Sequence, residues 1–158
     1  MGKLKIRFAK KTDLEGVNAI RRQVHMVHAK GRPDIFCKKF GKKLAEHIYF
    51  YHSGKLSKII VAKSEDAIVG FAVLEIIHKL RSPYNKARSY LRVTEFGVDE
   101  NHRRQGIGKA LMEFIKNYAS ANKFDTIELD MWEFNEGALK FYESQGFSTY
   151  RRFMECKM

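Results

Sequence analysis

The chain has 158 residues, the usual size of one domain, and its hydrophobic (44%) and aromatic (13%) residues suffice for one substantial core. Lys and Arg number 30 against 18 Asp and Glu, so the net charge of +12 favours an anionic partner without identifying it. The longest apolar runs, such as Ile59-Ile60-Val61-Ala62, are far too short to span a membrane, and the N-terminus lacks the apolar stretch of a secretory signal. We therefore expect a single domain over residues 1–158 in the cytoplasm.

The first half of the chain predicts a strand, two helices and a β-hairpin. Alternating basic and apolar residues predict a strand over 3–9, and a capping box formed by Thr12 and Glu15 predicts a helix that continues to Gly31. Pro33 ends this helix because its ring fixes φ and pushes the preceding residue out of the α region. A second helix is predicted over 38–51. β-Branched and apolar runs predict strands over 58–63 and 67–78.

The second half predicts alternating strands and helices. A strand over 90–98 leads into a basic loop with two glycines, and Ile107 begins the apolar stripe of a helix. A strand over 126–131, a helix over 137–145 and a last strand over 147–157 follow, with no repeat or linker between elements. This order predicts an α/β (α+β) domain in which helices pack on a sheet.

The most informative segment is the loop Arg103-Arg104-Gln105-Gly106-Ile107-Gly108-Lys109. Its glycines let the backbone approach a ligand closely, and the N–H groups and dipole of a starting helix favour an anion, so the loop predicts a phosphate-binding cradle. Ala110 stands where a Walker A loop needs Ser or Thr, and Leu111 stands where a dinucleotide-binding motif needs its third glycine. A tight strand-to-helix turn among solvated arginines is the alternative.

Two motifs together resemble the GNAT superfamily of acetyl-CoA dependent N-acetyltransferases. Arg103-x-x-Gly106-x-Gly108 resembles its pyrophosphate-binding signature, and Asn135-x-x-Ala138-x-x-Phe141-Tyr142-x-x-x-Gly146-Phe147 resembles its second signature, on the helix after the next strand. The element order is also similar, so the resemblance covers nearly the whole chain. It implies the GNAT acyl-CoA N-acyltransferase fold, with a mixed, mostly antiparallel central sheet of six to seven strands flanked by four helices.

The resemblance also implies that acetyl-CoA is the co-substrate. The strand before the loop would splay from its neighbour at a bulge, and Gly97 is where an irregularity costs little. Asn135 would hydrogen-bond the pantetheine arm, or it is only the N-terminal cap of its helix. The residues expected to bind acetyl-CoA are Phe96, Val98, Arg103, Arg104, Gln105, Gly106, Ile107, Gly108, Lys109, Asn135 and Tyr142.

Three residues take catalytic roles by the same resemblance. Glu95 would be the general base, which acetyl transfer needs because an alkyl ammonium with a pKa near ~10 has no free lone pair at neutral pH. The alternative interpretation is that Glu95 is a strand residue that faces solvent or pairs with Arg92 or Arg103. The N–H of Val98 would stabilise negative charge on the thioester oxygen. Tyr142 would donate to the departing thiolate, and the alternative role for this residue is core packing.

The expected activity is transfer of an acetyl group directly from acetyl-CoA to a primary amine of a small molecule, a protein or a peptide. Cys37 and Cys156 are too few for a disulfide framework, and neither has an activating partner nearby in the sequence, so no covalent intermediate is expected. The histidines do not converge in sequence, so we expect no metal.

The acceptor amine stays open at the level of sequence. By resemblance it would bind near residues 28–36 and 81–86, where Arg32, Asp34 and Tyr84 are polar candidates. A basic nucleic-acid-binding module and a CoA-sensing module without turnover are the alternative functions, although no nucleic-acid-binding signature supports the first. We expect no membrane partner, and a homodimer remains open.

Overall fold

The computed structural model describes residues 3–158. Within these residues the strands are β1 (Leu4–Phe8), β2 (Ser57–Ser64), β3 (Ala67–Lys79), β4 (Arg88–Val98) and β5 (Ile127–Leu129). The α-helices are α1 (Leu14–Gly31), α2 (Lys42–Ser53), α3 (Ile107–Ala121) and α4 (Glu136–Ser144). Short 3-10 turns cover Lys11–Asp13 and Glu100–His102. The predicted order of elements is confirmed as far as α4, and α2 begins four residues later than predicted.

The described strands form one sheet in the order β1-β2-β3-β4-β5. The first four strands pair antiparallel with their sequence neighbours, and β5 runs parallel to β4. The predicted mixed, mostly antiparallel sheet with four flanking helices is therefore confirmed. The predicted number of six to seven strands is wrong, because the described part of the chain has five.

The strand predicted over 147–157 is the missing one. Residues 148–158, here called the C-terminal segment, are irregular, and none of their amides donates a hydrogen bond to a backbone carbonyl of residues 3–158. Alternation along a sequence indicates which side chains could share a face, but a β-strand also needs a neighbouring strand to accept its hydrogen bonds. No strand of residues 3–158 pairs with this segment, although the edge of β5 away from β4 is open.

The sheet separates two apolar cores. On one face, here called the α1 face, α1 and α2 bury Leu14, Ile20 and Ile48 against Phe71 and other sheet residues. On the other, the α3 face, α3 buries its apolar stripe against the sheet, and the α4 residues Phe141 and Tyr142 pack on the edge of this core. Burial of each large apolar side chain stabilises the fold by roughly 1.5–3 kcal/mol, so both layers are firmly held.

The start of α1 differs from the prediction. The Asp13 carboxylate accepts the Lys10 N–H at 2.6 Å and two hydrogen bonds from Arg7 at 2.6 and 3.0 Å. The hydrogen bond from Arg7 is the main reason that the pKa of Asp13 lies below its usual value. Glu15 instead accepts from the Tyr49 hydroxyl at 2.8 Å. The predicted capping box of Thr12 and Glu15 is therefore wrong, because a residue between them already satisfies the turn.

Candidate active site

β4 carries one extra residue opposite β3. Val73 lies opposite Glu95 and Leu74 lies opposite Val93, so Thr94 has no partner of its own and forms a β-bulge. β4 pairs with β5 only over Leu91–Val93. Beyond the bulge, no strand among residues 3–158 borders β4 on its β5 side. The predicted splay next to a bulge is confirmed, but the bulge lies at Thr94 and not near Gly97.

Gly97 serves a different purpose from the one expected. A Cβ atom at this position would lie 2.9 Å from Val24 of α1 and 2.9 Å from Phe71 of β3. Carbon atoms do not approach so closely without displacement. Gly97 therefore allows α1 to pack directly on β4, and the space for a ligand lies elsewhere.

The backbone of Phe96 and Val98 points to the open side of β4. Asp99 N donates to Val69 O at 2.9 Å, which makes these residues a hydrogen-bonded pair in line with the β3–β4 ladder. Residues of an antiparallel strand alternate in direction, so the N–H and C=O groups of Gly97 point to β3 and those of Phe96 and Val98 point away from it. On that side the Val98 carbonyl accepts a long hydrogen bond of 3.4 Å from Arg103 Nε.

The glycine loop ends at the open side of β4 and starts α3. Gly106 has a φ of +81° and is the N-cap of α3, and Arg104 also has a positive φ of +62°. The first helical hydrogen bond runs from Ala110 N to Gly106 O at 3.0 Å. The amides of residues 103–109 find no hydrogen-bond acceptor in the described part of the chain. They form a set of donors at the positive end of a helix, which suits a phosphate group.

Gln23 of α1 holds the loop in place from behind. Its Nε2 donates to Asp99 Oδ1 at 2.7 Å, and its Oε1 accepts the Glu100 N–H at 2.9 Å. The other Asp99 oxygen lies 2.6 Å from His102 Nδ1. Burial raises the pKa of Asp99, but the hydrogen bonds from Gln23 and His102 outweigh it and lower this pKa overall. The carboxylate therefore anchors the turn between β4 and the glycine loop.

The second wall of the site comes from α4. The ring centroid of Phe96 lies 5.6 Å from that of Phe141 and 6.1 Å from that of Tyr142. Gly108 lets α4 approach, because a Cβ there would lie 3.2 Å from Phe141. Burial raises the pKa of Tyr142 to about 12, so its phenol keeps its proton at neutral pH. Within residues 3–158 its hydroxyl makes no hydrogen bond and can donate to a ligand.

Asn135 begins α4. Its Oδ1 accepts the Ala138 N–H at 3.1 Å, so the alternative of a helix cap is confirmed. The side-chain NH₂ group of Asn135 has no acceptor in the described residues and can still contact a ligand.

Glu95 lies on the α1 face, opposite to Phe96 and Tyr142. Arg21 donates from Nε to Glu95 Oε2 at 2.7 Å and from Nη2 to Oε1 at 2.9 Å. The guanidinium also donates to Asn18 at 2.9 Å and to the Leu44 carbonyl at 2.8 Å. Arg21 is 2% exposed and Glu95 is 26% exposed at the side chain. Arg21 is thus the ionic partner of Glu95, and the expected alternatives Arg92 and Arg103 are not.

A family comparison agrees with this geometry. Residues 29–147 match the model of the acetyltransferase (GNAT) family. The chain belongs to the GNAT family. It is 31% identical to human N-acetyltransferase 8 over 106 residues. This match covers 67% of this chain and 45% of that protein. The chain thus spans less than half the length of this curated relative.

Solved structures support the same fold for this GNAT chain. The tetramutant of the BH1408 protein from Bacillus halodurans is 31% identical with a TM-score of 0.93, and the match covers 98% of this chain and 99% of that one. AAC(6')-Iy, in complex with the bisubstrate analog CoA-S-monomethyl-acetylneamine, is 16% identical with a TM-score of 0.78, and the match covers 99% of both chains. The similarity to AAC(6')-Iy shows a shared fold alone.

Sequence reasoning missed two residues of this candidate site, Arg21 and Gln23. Arg21 follows Leu14 and Asn18 at the spacing of one helix face, and all three are buried. A charged residue within an apolar stripe is a signal for a buried ion pair, and Glu95 in an apolar strand is the matching signal. Gln23 gave no comparable signal, because it is a polar residue on a partly exposed part of α1.

The expected acceptor residues do not form one cluster. Arg32 binds Asp34 at 2.9 and 2.7 Å and lies over the Trp132 ring at 5.6 Å. Hydrogen bonding to Arg32 is the main cause that lowers the pKa of Asp34 to about 2. Tyr84 is 94% exposed in the loop before β4, and its amide donates only to Ser82. Arg32 therefore pairs with Asp34 and also binds Glu155 at 3.0 Å, whereas Tyr84 stands apart.

Further contacts surround Glu95 on the α1 face. Phe40 packs under the guanidinium of Arg21 at 5.5 Å, and His28 stacks on Phe36 at 5.1 Å. Burial is the main cause that lowers the pKa of His28, which favours its neutral imidazole. Within residues 3–158 no group of three or more His, Cys, Asp or Glu could hold a metal ion. No helix in the same range is long and apolar enough to cross a membrane.

Proposed function

We propose that this GNAT protein transfers an acetyl group from acetyl-CoA directly to a primary amine of a small molecule, a protein or a peptide. One observation carries the proposal: the open side of β4, with the backbone of Phe96 and Val98 facing it, adjoins the unpaired amides of residues 103–109. Acetyl-CoA needs both features, since it combines a pyrophosphate with a long amide-containing arm and a thioester that supplies the activated acetyl group.

The residues fit acetyl-CoA in charge and in hydrogen-bonding capacity. The amides of the glycine loop would bind the pyrophosphate, with added positive charge from the exposed side chains of Arg103, Arg104 and Lys109. Gln105 is exposed beside them, whereas the Ile107 side chain is buried in the core and contributes only its amide. Phe96 and Val98 would pair with the pantetheine arm through their main-chain groups, and Asn135 would add its side-chain NH₂ group.

Three groups would serve the chemistry. The Val98 N–H would donate to an oxygen that gains negative charge during transfer. Tyr142, with its pKa of about 12, would donate a proton or a hydrogen bond to the leaving sulfur. Each Glu95 oxygen accepts one hydrogen bond from Arg21 and retains a second lone pair, so the carboxylate can still accept a proton from the amine, directly or through water.

The amine would therefore approach from the α1 face, where Glu95 lies, while acetyl-CoA occupies the open side of β4 next to the glycine loop. This separation supports a ternary complex without an acetyl-enzyme. Cys37 and Cys156 are both exposed and form no disulfide, which also fits a cytoplasmic protein.

Isothermal titration calorimetry with acetyl-CoA, and with ATP as the control anion, tests the binding part of the proposal. A coenzyme-release assay over aminoglycosides, polyamines, amino acids and peptide N-termini tests the catalytic part. We expect saturable binding of acetyl-CoA, no comparable binding of ATP, and turnover with one amine class. Binding without turnover on any amine would favour a CoA sensor. Affinity only for nucleic acid, falling steeply with salt, would overturn the enzyme proposal.

A further inference from the structure

A strongly basic groove lies along β1, at the opposite end of the sheet from β5. Its volume is about 410 Å³. Two strands separate β1 from β4, so the groove lies apart from the candidate active site. Basic side chains and a single carboxylate line it: Lys3, Lys5, Arg7, Lys10, Lys63 and Glu65.

Most of the positive charge in this groove is not neutralised by the protein. Arg7 is the exception, because it binds Asp13 at 2.6 Å. Within residues 3–158, three of the lysines form no ion pair: Lys3, Lys5 and Lys10. The groove therefore attracts an anion.

Lys5 and Lys63 form a like-charge pair in the groove. They lie directly opposite each other in the register of β1 and β2. Like charges in this position destabilise an antiparallel pair. Lys63 lies 3.6 Å from the fully exposed Asp66, and such a surface contact contributes little. Local violations of this kind are expected where a protein binds a ligand.

The outer edge of β1 offers hydrogen bonds beside the groove. Ala9 N donates to Ile59 O at 2.8 Å, in line with the ladder between β1 and β2. Backbone groups alternate in direction along a strand, so those of Leu4, Ile6 and Phe8 point away from β2. No strand of residues 3–158 borders this edge, and the Phe8 carbonyl accepts a hydrogen bond only from a neighbouring guanidinium at 3.1 Å. An additional strand can pair here through its main chain.

The side chains along this edge alternate between basic and apolar. The basic ones line the groove on the α1 face, where Arg7 binds Asp13 just before α1. The apolar ones are Leu4, Ile6 and Phe8 on the α3 face, and Phe8 is 42% exposed although it packs edge-on against α3. Side chains of paired strands meet on the same face. A strand at this edge therefore needs acidic residues towards the groove and apolar residues on the other face.

We propose that the β1 edge binds an extended segment of a partner protein in which acidic and apolar residues alternate. Its main chain pairs with the free edge, and its apolar side chains cover Phe8. Its carboxylates enter the groove, where one beside Lys5 offsets the repulsion from Lys63. The proposal does not depend on the acetyltransferase activity.

Charge and hydrogen bonding together favour this occupant over others. The β1 edge of a second copy would bring the same basic residues into the groove, and like charges across a strand pair are unfavourable. Lysines at an edge repel basic strands, and the same charge selects an acidic one. A nucleic acid could use the charge but not the alternating main-chain groups of the edge.

Fluorescence anisotropy with a labelled peptide of alternating Glu and Val tests the choice of partner, and a Gln-Val peptide of equal length is its control. The Glu-Val peptide should bind saturably, and the Gln-Val peptide should bind at least about tenfold more weakly. Equal affinity for the two peptides would mean that the lysines only protect the edge, and it would overturn the proposal.

Lys5→Glu tests the groove itself. It should weaken binding of the Glu-Val peptide by about tenfold, because one attraction is lost and one repulsion is added. Circular dichroism and acetyl-CoA affinity should be unchanged. Lys79→Glu is the matched control, since Lys79 is also an exposed strand lysine opposite a basic residue, Arg88, but lies in an interior strand. Unchanged peptide affinity in Lys5→Glu would contradict the proposal.

Backbone methylation distinguishes strand pairing from attraction of charge alone. One Glu-Val peptide carries N-methyl groups on every Val and another carries them on every Glu. Only every second residue of a strand faces β1, so one of these peptides should lose at least about tenfold in affinity and the other should bind normally. Equal affinities would overturn strand pairing. Tighter binding of single-stranded polyuridine RNA than of the Glu-Val peptide, weakened by Lys5→Glu, would assign the groove to nucleic acid instead.

Discussion

At the open side of β4 the candidate site is made mostly of main-chain groups, whereas on the α1 face it is made of side chains. The amides of residues 103–109 and the backbone of Phe96 and Val98 belong to the first set. The pair of Arg21 and Glu95, with Asn18 behind it, belongs to the second. A main-chain site depends on backbone shape and tolerates many side chains. A side-chain site depends on the identity of each residue, so the two halves should respond differently to substitution.

Arg21→Met tests the side-chain half and should have the largest effect. Loss of the guanidinium leaves Glu95 without its ionic partner and the Leu44 carbonyl without its donor. Breaking a mostly buried ion pair at one partner costs about 3 kcal/mol in the free energy of unfolding. Urea titration followed by circular dichroism measures this loss.

Arg22→Met is the matched control, since Arg22 is an exposed neighbour that packs over Phe40 at 5.3 Å and makes no ion pair within residues 3–158. It should cost less than about 1 kcal/mol. The double variant Arg21→Met with Glu95→Met should recover much of the loss, because both charges are then removed. Equal stability of Arg21→Met and the parent would show that the pair is not structural.

Tyr142→Phe tests the tyrosine of α4 in the second wall of the site. It keeps the ring that packs near Phe96 and deletes only the proton donor, so turnover should fall by about tenfold or more while acetyl-CoA affinity stays the same. Tyr118→Phe, another partly buried tyrosine on the α3 face, is the control. Unchanged kcat in Tyr142→Phe would make Tyr142 a packing residue.

The pH dependence sharpens the same assignment. Burial raises the pKa of Tyr142 to about 12, so the protonated donor persists well above the ordinary phenol pKa. The ratio of parent to Tyr142→Phe turnover should therefore stay constant between about pH 7 and pH 10. Both rates should rise over this range as the amine loses its proton. A ratio that falls near the ordinary tyrosine pKa would contradict a buried donor.

Gly106→Val tests the main-chain half. A β-branched residue is strained at a φ of +81°, so the loop should lose its shape and acetyl-CoA affinity should fall by about tenfold. Gly146→Val is a matched control, because Gly146 has a φ of +89°, also has open space around its Cβ position, and lies outside the loop. Calorimetry should find weaker binding only in Gly106→Val. Equal weakening in both variants would attribute the effect to general strain.

The Cys37→Ala and Cys156→Ala double variant should have the smallest effect. Both thiols are exposed, and neither belongs to the two halves of the site, so kcat should match that of the parent. Mass spectrometry after incubation with acetyl-CoA alone should find no stoichiometric adduct. A chemically competent acetyl group on either cysteine would refute direct transfer.

The backbone shape of the glycine loop was predictable from the sequence, because the spacing of its glycines indicates a tight turn into a helix. Gly106 and Gly108 marked the loop, and Asn135 marked the start of α4. Element order was predictable for the same reason, since periodicity follows from local geometry. These features depend on residues close together in the chain.

Features that depend on distant partners were not predictable in the same way. Glu95 could be placed in β4, but its partner Arg21 is 74 positions away, and the sequence alone suggested Arg92 or Arg103. The start of α1 depends on Arg7 in β1, which favours Asp13 over the predicted cap. The prediction of a last strand over 147–157 was wrong because a strand needs a neighbour to pair with. The sequence of one chain does not specify where that neighbour lies.

The bulge at Thr94 makes the open side of β4 depend on the number of residues in the strand. Removing one residue there would restore regular alternation, so Leu91, Val93, Phe96 and Val98 would keep the face they have now. The strand would lose its bend, however, and pairing with β5 could continue past Val93. Deletion of Thr94 would therefore extend the pairing of β4 with β5 and narrow the open side of β4, while each remaining side chain kept its face of the sheet.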